Sequence, residues 1–81
     1  MIIVAQFRGA RGLLGWSQSD LAKASGLALS TIKRMEAGDG PVRGIANNVW
    51  KVQRALEEAG VIFIDENGGG PGVRLKSSLQ E

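Results

Sequence analysis

Histidine, cysteine and tyrosine are all absent from this 81-residue sequence. Without cysteine the chain has no disulfide framework and no thiolate site for a metal ion. Without histidine it lacks the commonest general base and nearly all zinc chemistry. The remaining residues form no recognisable acid–base or nucleophile constellation. We therefore expect a protein that is not an enzyme and that uses no metal and no cofactor.

Long apolar runs are absent as well. No stretch approaches the roughly 18 apolar residues of a membrane span, and the first twelve residues turn polar too quickly for a signal peptide. We expect a cytoplasmic protein that does not bind a membrane. Hydrophobic residues still make up 43% of the sequence, which is enough for one small globular core at this length.

The charge is distributed unevenly along the chain. Residues 1–56 contain eight lysines and arginines against three acids, whereas residues 57–81 contain two against five. A basic helical part with an acidic appendage is typical of a nucleic-acid binder whose tail does not touch the nucleic acid. A chance asymmetry in so short a chain is the alternative.

Capping signals and apolar spacing predict four helices. Ser17 followed by Asp20 is a capping-box-like helix start, and Gly26 falls where a left-handed glycine ends a helix. Gly9 and Gly12 lie inside the first helix, where each costs about 1 kcal/mol relative to alanine. The predicted helices cover residues 4–14, 18–25, 29–36 and 44–59. The predicted core consists of Trp16, Leu21, Ala22, Leu27, Ile32, Met35, Val52 and Leu56.

The fourth predicted helix depends on one buried face. Its apolar stripe runs through Ile45, Val49, Val52, Leu56 and Ala59. The spacing of its charged residues, Arg54 to Glu58 included, is expected to give no strong ion pair. Trp50 falls off the stripe and either covers the edge of the core or meets a partner subunit.

The character of the chain changes after Gly60. Residues 61–64 are a short β-rich run, DENGGGPG reads as a loop, and residues 73–76 alternate apolar and basic side chains. This pattern predicts a C-terminal β-hairpin or β segment. If Val61 and Phe63 face the core, Ile62 and Ile64 are exposed on one face. We expect a division into a helical domain, residues 1–60, with a complete core of its own, and a C-terminal segment, residues 61–81. The strands pair either within one chain or between chains.

The central stretch, WSQSDLAKASGLALSTIKRMEAGDGPVR, resembles the helix-turn-helix of the Cro and lambda-repressor type, the XRE family. The resemblance rests on the order of small and apolar residues, namely Gln18, Ala22, Gly26 and Ile32. It implies a mostly α, four-helix lambda-repressor-like domain. One position departs from the family: Ala28 stands where a serine or threonine usually caps the recognition helix, so about 1 kcal/mol of capping is absent.

The resemblance also implies a set of site residues. A recognition helix of this family lies in the major groove, so Leu29, Ser30, Lys33 and Arg34 would face the bases. Gln18 and Arg43 would contact phosphates of double-stranded DNA; a free surface arginine is the alternative for Arg43. Arg11 and Glu36 would form an ion pair that fixes the first helix to the third, the alternative being two separate solvated charges.

The predicted function is that of a sequence-specific DNA-binding transcriptional regulator of bacterial or phage type, acting as a homodimer. One alternative is an antitoxin-like protein that binds both DNA and a toxin. Another is a protein-interaction module on the same fold. Either would have a protein partner that the sequence does not identify.

Overall fold

The computed structural model describes residues 2–77, which form four helices followed by an antiparallel hairpin. This confirms the predicted mostly α fold with a C-terminal β-hairpin; residues 78–81 of the predicted C-terminal segment lie outside the described residues. The elements are α1 (Val4–Leu14), α2 (Gln18–Ser25), α3 (Leu29–Glu36), α4 (Ala46–Glu58), β1 (Val61–Ile64) and β2 (Gly72–Leu75).

The first three helices have the predicted bounds because their ends are encoded locally. The backbone N–H of Asp20 donates to the Ser17 hydroxyl at 3.0 Å, and the N–H of Ser17 donates back to the Asp20 carboxylate at 2.9 Å. Gly15 and Gly26 end α1 and α2 with φ values of 70° and 77°. Side chains with a Cβ rarely adopt this left-handed conformation.

Helix α4 is shorter than predicted. Gly44 has φ 134°, and Ile45 has an extended backbone with ψ 131°, so the helix begins at Ala46. Ile45 is 69% exposed, and its assignment to the buried stripe is therefore wrong. Arg54 and Glu58 do form an ion pair at 2.8 Å, contrary to expectation, because a spacing of four places them one turn apart.

One hydrophobic core joins all four helices to the hairpin. Trp16 and Leu27, both predicted core residues, are only half-buried and pack against its margin, while the other predicted members are buried. The buried cluster consists of Phe7, Ala10, Leu21, Ala22, Ile32, Met35, Val52, Ala55, Leu56 and Val61.

The hairpin completes this core, so the expectation that the helices form a complete core without it is wrong. Val61 is 2% exposed, and the rings of Phe7 and Phe63 meet edge to face with centroids 6.1 Å apart. Strand β2 begins one residue earlier than predicted because Gly72 pairs with Ile64. The division of the chain after residue 60 stays a prediction.

Gln6 ties the start of α1 to the loop end of the hairpin, where Ile64 pairs with Gly72. Its side chain is buried, and its Nε2 donates to the carbonyls of Ile64 and Gly72 at 3.3 and 3.0 Å. Its Oε1 accepts from the N–H of Ile3 at 2.9 Å. All three of these hydrogen bonds go to backbone groups, which fixes the hairpin on α1.

Candidate nucleic-acid interface

Helix α3 has one face in the core and one in solvent. Ile32 and Met35 are buried against the other helices, which the three-residue spacing predicts for one helical face. The opposite face presents the four residues that the resemblance assigns to base contacts. All four are exposed: Leu29, Ser30, Lys33 and Arg34.

The exposed face of α3 carries only positive charge. Its cations are Lys33 and Arg34, and both are in solvent. The helix also contains one acid, Glu36, but this residue is only 4% exposed and its carboxylate points inward. An anionic ligand that approached α3 would therefore meet two cations and no free carboxylate.

Glu36 is neutralised by a bidentate contact with Arg11 of α1. Arg11 Nε lies 2.8 Å from Oε2 of Glu36, and Arg11 Nη2 lies 2.7 Å from Oε1. Arg11 Nη1 also donates to the carbonyl of Trp16 at 3.1 Å. The hydrogen bond to Glu36 raises the pKa of Arg11, against an opposing effect of burial, and the nearby negative charge raises it further. The guanidinium is therefore charged at every working pH, and the pair connects α1 to the end of α3.

Gln18 joins the same cluster. Its Nε2 donates to Oε1 of Glu36 at 3.2 Å, so this carboxylate oxygen accepts from both Gln18 and Arg11. Gln18 is half-buried at the first residue of α2. The structure thus gives Gln18 a partner within the protein, whereas the resemblance implies a contact with a DNA phosphate. The side-chain carbonyl oxygen of Gln18 makes no contact in this cluster.

A second arginine of α1, which the sequence did not single out, holds the same end of α3. Arg8 Nη1 donates to the main-chain carbonyls of Glu36 and Gly38 at 2.7 and 3.2 Å. Asp39 lies 3.8 Å from Arg8 Nη2. In the sequence, Arg8 is marked only by its position one helical turn before Arg11. This spacing does not distinguish an arginine in solvent from one that bonds another helix.

The anchoring by α1 matters because α3 has no side-chain cap of its own. Ala28, the residue just before α3, has an extended backbone. Its side chain makes no capping hydrogen bond, as expected for alanine. At the other end Ala37 has φ −78° and ψ 145° instead of a left-handed glycine. The carbonyls at the C-terminal end are bonded by Arg8 instead.

Arg34 and Arg43 both line one open cleft. The cleft has a volume of about 260 Å³ and lies between the end of α3 and the loop that follows it. Arg43 is exposed, and Asp39 also lines the cleft. The two guanidinium groups therefore share the cleft with the exposed carboxylate of Asp39.

The described residues do not support two other kinds of site. Within residues 2–77, no three histidine, cysteine, aspartate or glutamate side chains lie close enough together to hold a metal ion. None of the helices in that range has the length and apolarity needed to cross a bilayer.

Comparison with known proteins agrees with this geometry. A search of curated proteins gives no match to the chain. A family model described as helix-turn-helix matches residues 7–44, which cover most of α1, all of α2 and α3, and most of the loop after α3. This match supports a helix-turn-helix regulator of the Cro and lambda-repressor type.

Proposed function

We propose that this chain is a sequence-specific transcriptional regulator of bacterial or phage type that places α3 in the major groove of double-stranded DNA. The observation that carries the proposal is the charge of α3. Its exposed face has two cations, and its only acid is buried against Arg11. A helix that combines a neutralised acid with exposed basic and small polar side chains suits the floor of the major groove.

The exposed side chains have complementary roles in this proposal. Arg34 can donate two hydrogen bonds to O6 and N7 of guanine, and Leu29 can contact a thymine methyl group. Ser30 tolerates several bases, and Lys33 adds a flexible cation. Together they read a short half-site of a few base pairs.

Two residues outside this face set the position of the protein on the duplex. Arg43 is exposed and lines the same cleft as Arg34, and in this proposal it donates to a phosphate. Gln18, at the first residue of α2, keeps its bond to Glu36 and presents the other amide hydrogen to a phosphate. Contacts of this kind fix the register and add affinity without sequence information.

We also propose that the chain acts as a homodimer in the cytoplasm and has no catalytic role. One recognition helix reads too few base pairs for useful specificity, whereas two half-sites about one helical turn apart supply it. The C-terminal β segment is the proposed dimer element. Regulation then depends on protein concentration and on any protein partner.

Selection from randomised oligonucleotides tests the proposal. The expected result is an enriched motif with two related half-sites, bound more weakly as salt increases. The Lys33→Ala/Arg34→Ala variant should lose the enrichment. The matched control, Lys51→Ala/Arg54→Ala, removes two exposed cations from α4 and should keep it.

Two other outcomes would overturn the proposal. Failure of the wild-type chain to enrich any motif at low salt would indicate a protein-interaction module. Enrichment that requires a second, co-purifying protein would favour the antitoxin-like alternative.

A further inference from the structure

Asp39 places a carboxylate in the cleft that Arg34 and Arg43 line. Its side chain is 99% exposed. Among the described residues that line this cleft, Asp39 is the only acid. A negative charge therefore lies at the place where the proposed function brings the phosphate groups of DNA, and attraction to DNA does not account for it.

The charge of Asp39 is poorly compensated. Within residues 2–77 its one ion pair is with Arg8, whose Nη2 lies 3.8 Å from Oδ1 of Asp39. Nη1 of the same guanidinium donates to the main-chain carbonyls of Glu36 and Gly38. An exposed pair at such a distance contributes little. Unlike the buried carboxylate of Glu36, which has a bidentate partner, the carboxylate of Asp39 still repels an anion that enters the cleft.

The backbone on both sides of Asp39 is held by α1. The carbonyl of Gly38 accepts from Arg8 Nη1 at 3.2 Å, and the carbonyl of Gly40 accepts from the N–H of Val4 at 2.8 Å. Arg8 and Val4 both belong to α1. Because the residues before and after it are bonded in this way, Asp39 stays beside the cleft when DNA approaches.

We propose that Asp39 is a specificity-determining residue, which prevents Arg34 and Arg43 from holding one DNA phosphate between them and so leaves Arg34 free to read a base. This inference rests on the proposed function and deepens it. Two arginines that line one cleft form a natural phosphate site, because the guanidinium group matches the geometry of phosphate. Such a site would bind the backbone of any sequence and would occupy the group that reads the base.

The repulsion acts unequally on specific and nonspecific complexes. Nonspecific binding comes almost entirely from cations on phosphates, so a phosphate shared by Arg34 and Arg43 would strengthen it. In the specific complex Arg34 donates to a base, so the shared phosphate does not form and Asp39 costs less. Specificity then comes from an interaction that is unfavourable in the wrong complex.

Binding of the full chain to its selected site and to random duplexes tests the role of Asp39. Asp39→Ala should strengthen binding to random duplexes about tenfold and binding to the selected site less than about threefold, because one like-charge repulsion is lost mainly from the nonspecific complex. The salt slope on random duplexes should become steeper by about one, since one more phosphate is held. The ratio of the two affinities should therefore fall.

Two further variants isolate the charge of Asp39. Asp39→Glu keeps a carboxylate at the cleft and should keep the wild-type affinity ratio. Asp65→Ala removes an exposed acid from the hairpin loop and should also leave the ratio unchanged. The inference fails if Asp39→Ala strengthens both kinds of binding equally or neither. It fails as well if Asp39→Glu behaves like Asp39→Ala, or if Asp65→Ala lowers the ratio to the same extent.

Inorganic phosphate tests the cleft without DNA. In Asp39→Ala the Nε–H resonances of Arg34 and Arg43 should shift together during a phosphate titration, with a dissociation constant at least about threefold lower than in the wild type. Equal responses in the two proteins would overturn the inference. Failure of the wild type to enrich any DNA motif would instead overturn the proposed function, so the two failures are distinguishable.

Discussion

Gln18 and Arg11, which lie on different helices, donate to the same oxygen of Glu36. The distances from Gln18 Nε2 and Arg11 Nη2 to Oε1 are 3.2 and 2.7 Å. One carboxylate therefore connects α1, the start of α2 and the end of α3. Changes at any of the three residues should affect both stability and the position of α3.

Gln18→Ala should have a small effect on folding and a larger one on DNA binding. Loss of one hydrogen bond costs about 1 kcal/mol of unfolding free energy. Loss of the phosphate contact should weaken binding to all sequences by a similar factor. Urea denaturation and binding titrations on specific and random duplexes measure the two effects. Unchanged binding to both duplexes would count against Gln18 as a phosphate contact.

Arg11→Ala should destabilise the protein strongly, because Glu36 would keep a buried charge without its main partner. Removal of one member of a buried pair costs about 3–5 kcal/mol. Arg54→Ala, which breaks the exposed α4 pair, is the control and should cost less than about 1 kcal/mol. Chemical denaturation measures both variants. A double-mutant cycle with Glu36→Gln should show coupling, and its absence would contradict the energetic role of the pair.

Arg34→Ala and Arg43→Ala should differ in the kind of binding that they lose. Arg34→Ala should cost about 1–3 kcal/mol on the selected site and relax the choice of base there. Arg43→Ala should weaken all sequences similarly and reduce the salt slope by about one. Titrations at several salt concentrations on matched and mismatched sites separate the two. If Arg34→Ala bound the selected site like the wild type, its assignment as a base reader would be wrong.

Truncation after Gly60 should abolish cooperative folding. The cut removes buried Val61 and uncovers Phe7, which is fully buried in the intact chain. Exposure of each large apolar side chain costs about 1.5–3 kcal/mol, and a small domain has little stability in reserve. Thermal denaturation followed by circular dichroism measures the loss, and a chain that ends at Ser77 is the control. A cooperative transition in the shorter chain would restore the prediction of a self-sufficient helical domain.

Much of the fold could be predicted because its signals are local. Ser17, Gly15 and Gly26 set helix ends through their own backbone and side-chain chemistry. Ile45 was wrongly assigned to the buried stripe of α4. The apolar periodicity extends one residue before Ala46, where the helix begins. Phe63 lies in the β-rich run that the sequence shows, but its part in the core depends on a contact with Phe7, which is distant in sequence.

The candidate site was harder to predict because its supports are long-range. Arg11 and Glu36 are 25 residues apart, and only the family resemblance suggested that they pair. The role of Gln6 could not be predicted, because its acceptors in the hairpin are 58 and 66 residues away along the chain. Arg8 donates to main-chain carbonyls, which no sequence pattern reveals.

The bonds from Arg8 have an evolutionary consequence. Their acceptors are carbonyl groups of Glu36 and Gly38, which every amino acid possesses, and the other anchor is a buried pair. Neither attachment involves the four solvent-facing positions of α3. Those positions can therefore diversify in a lineage while the helix stays docked at the same angle, so that new operator preferences can arise from one unchanged scaffold.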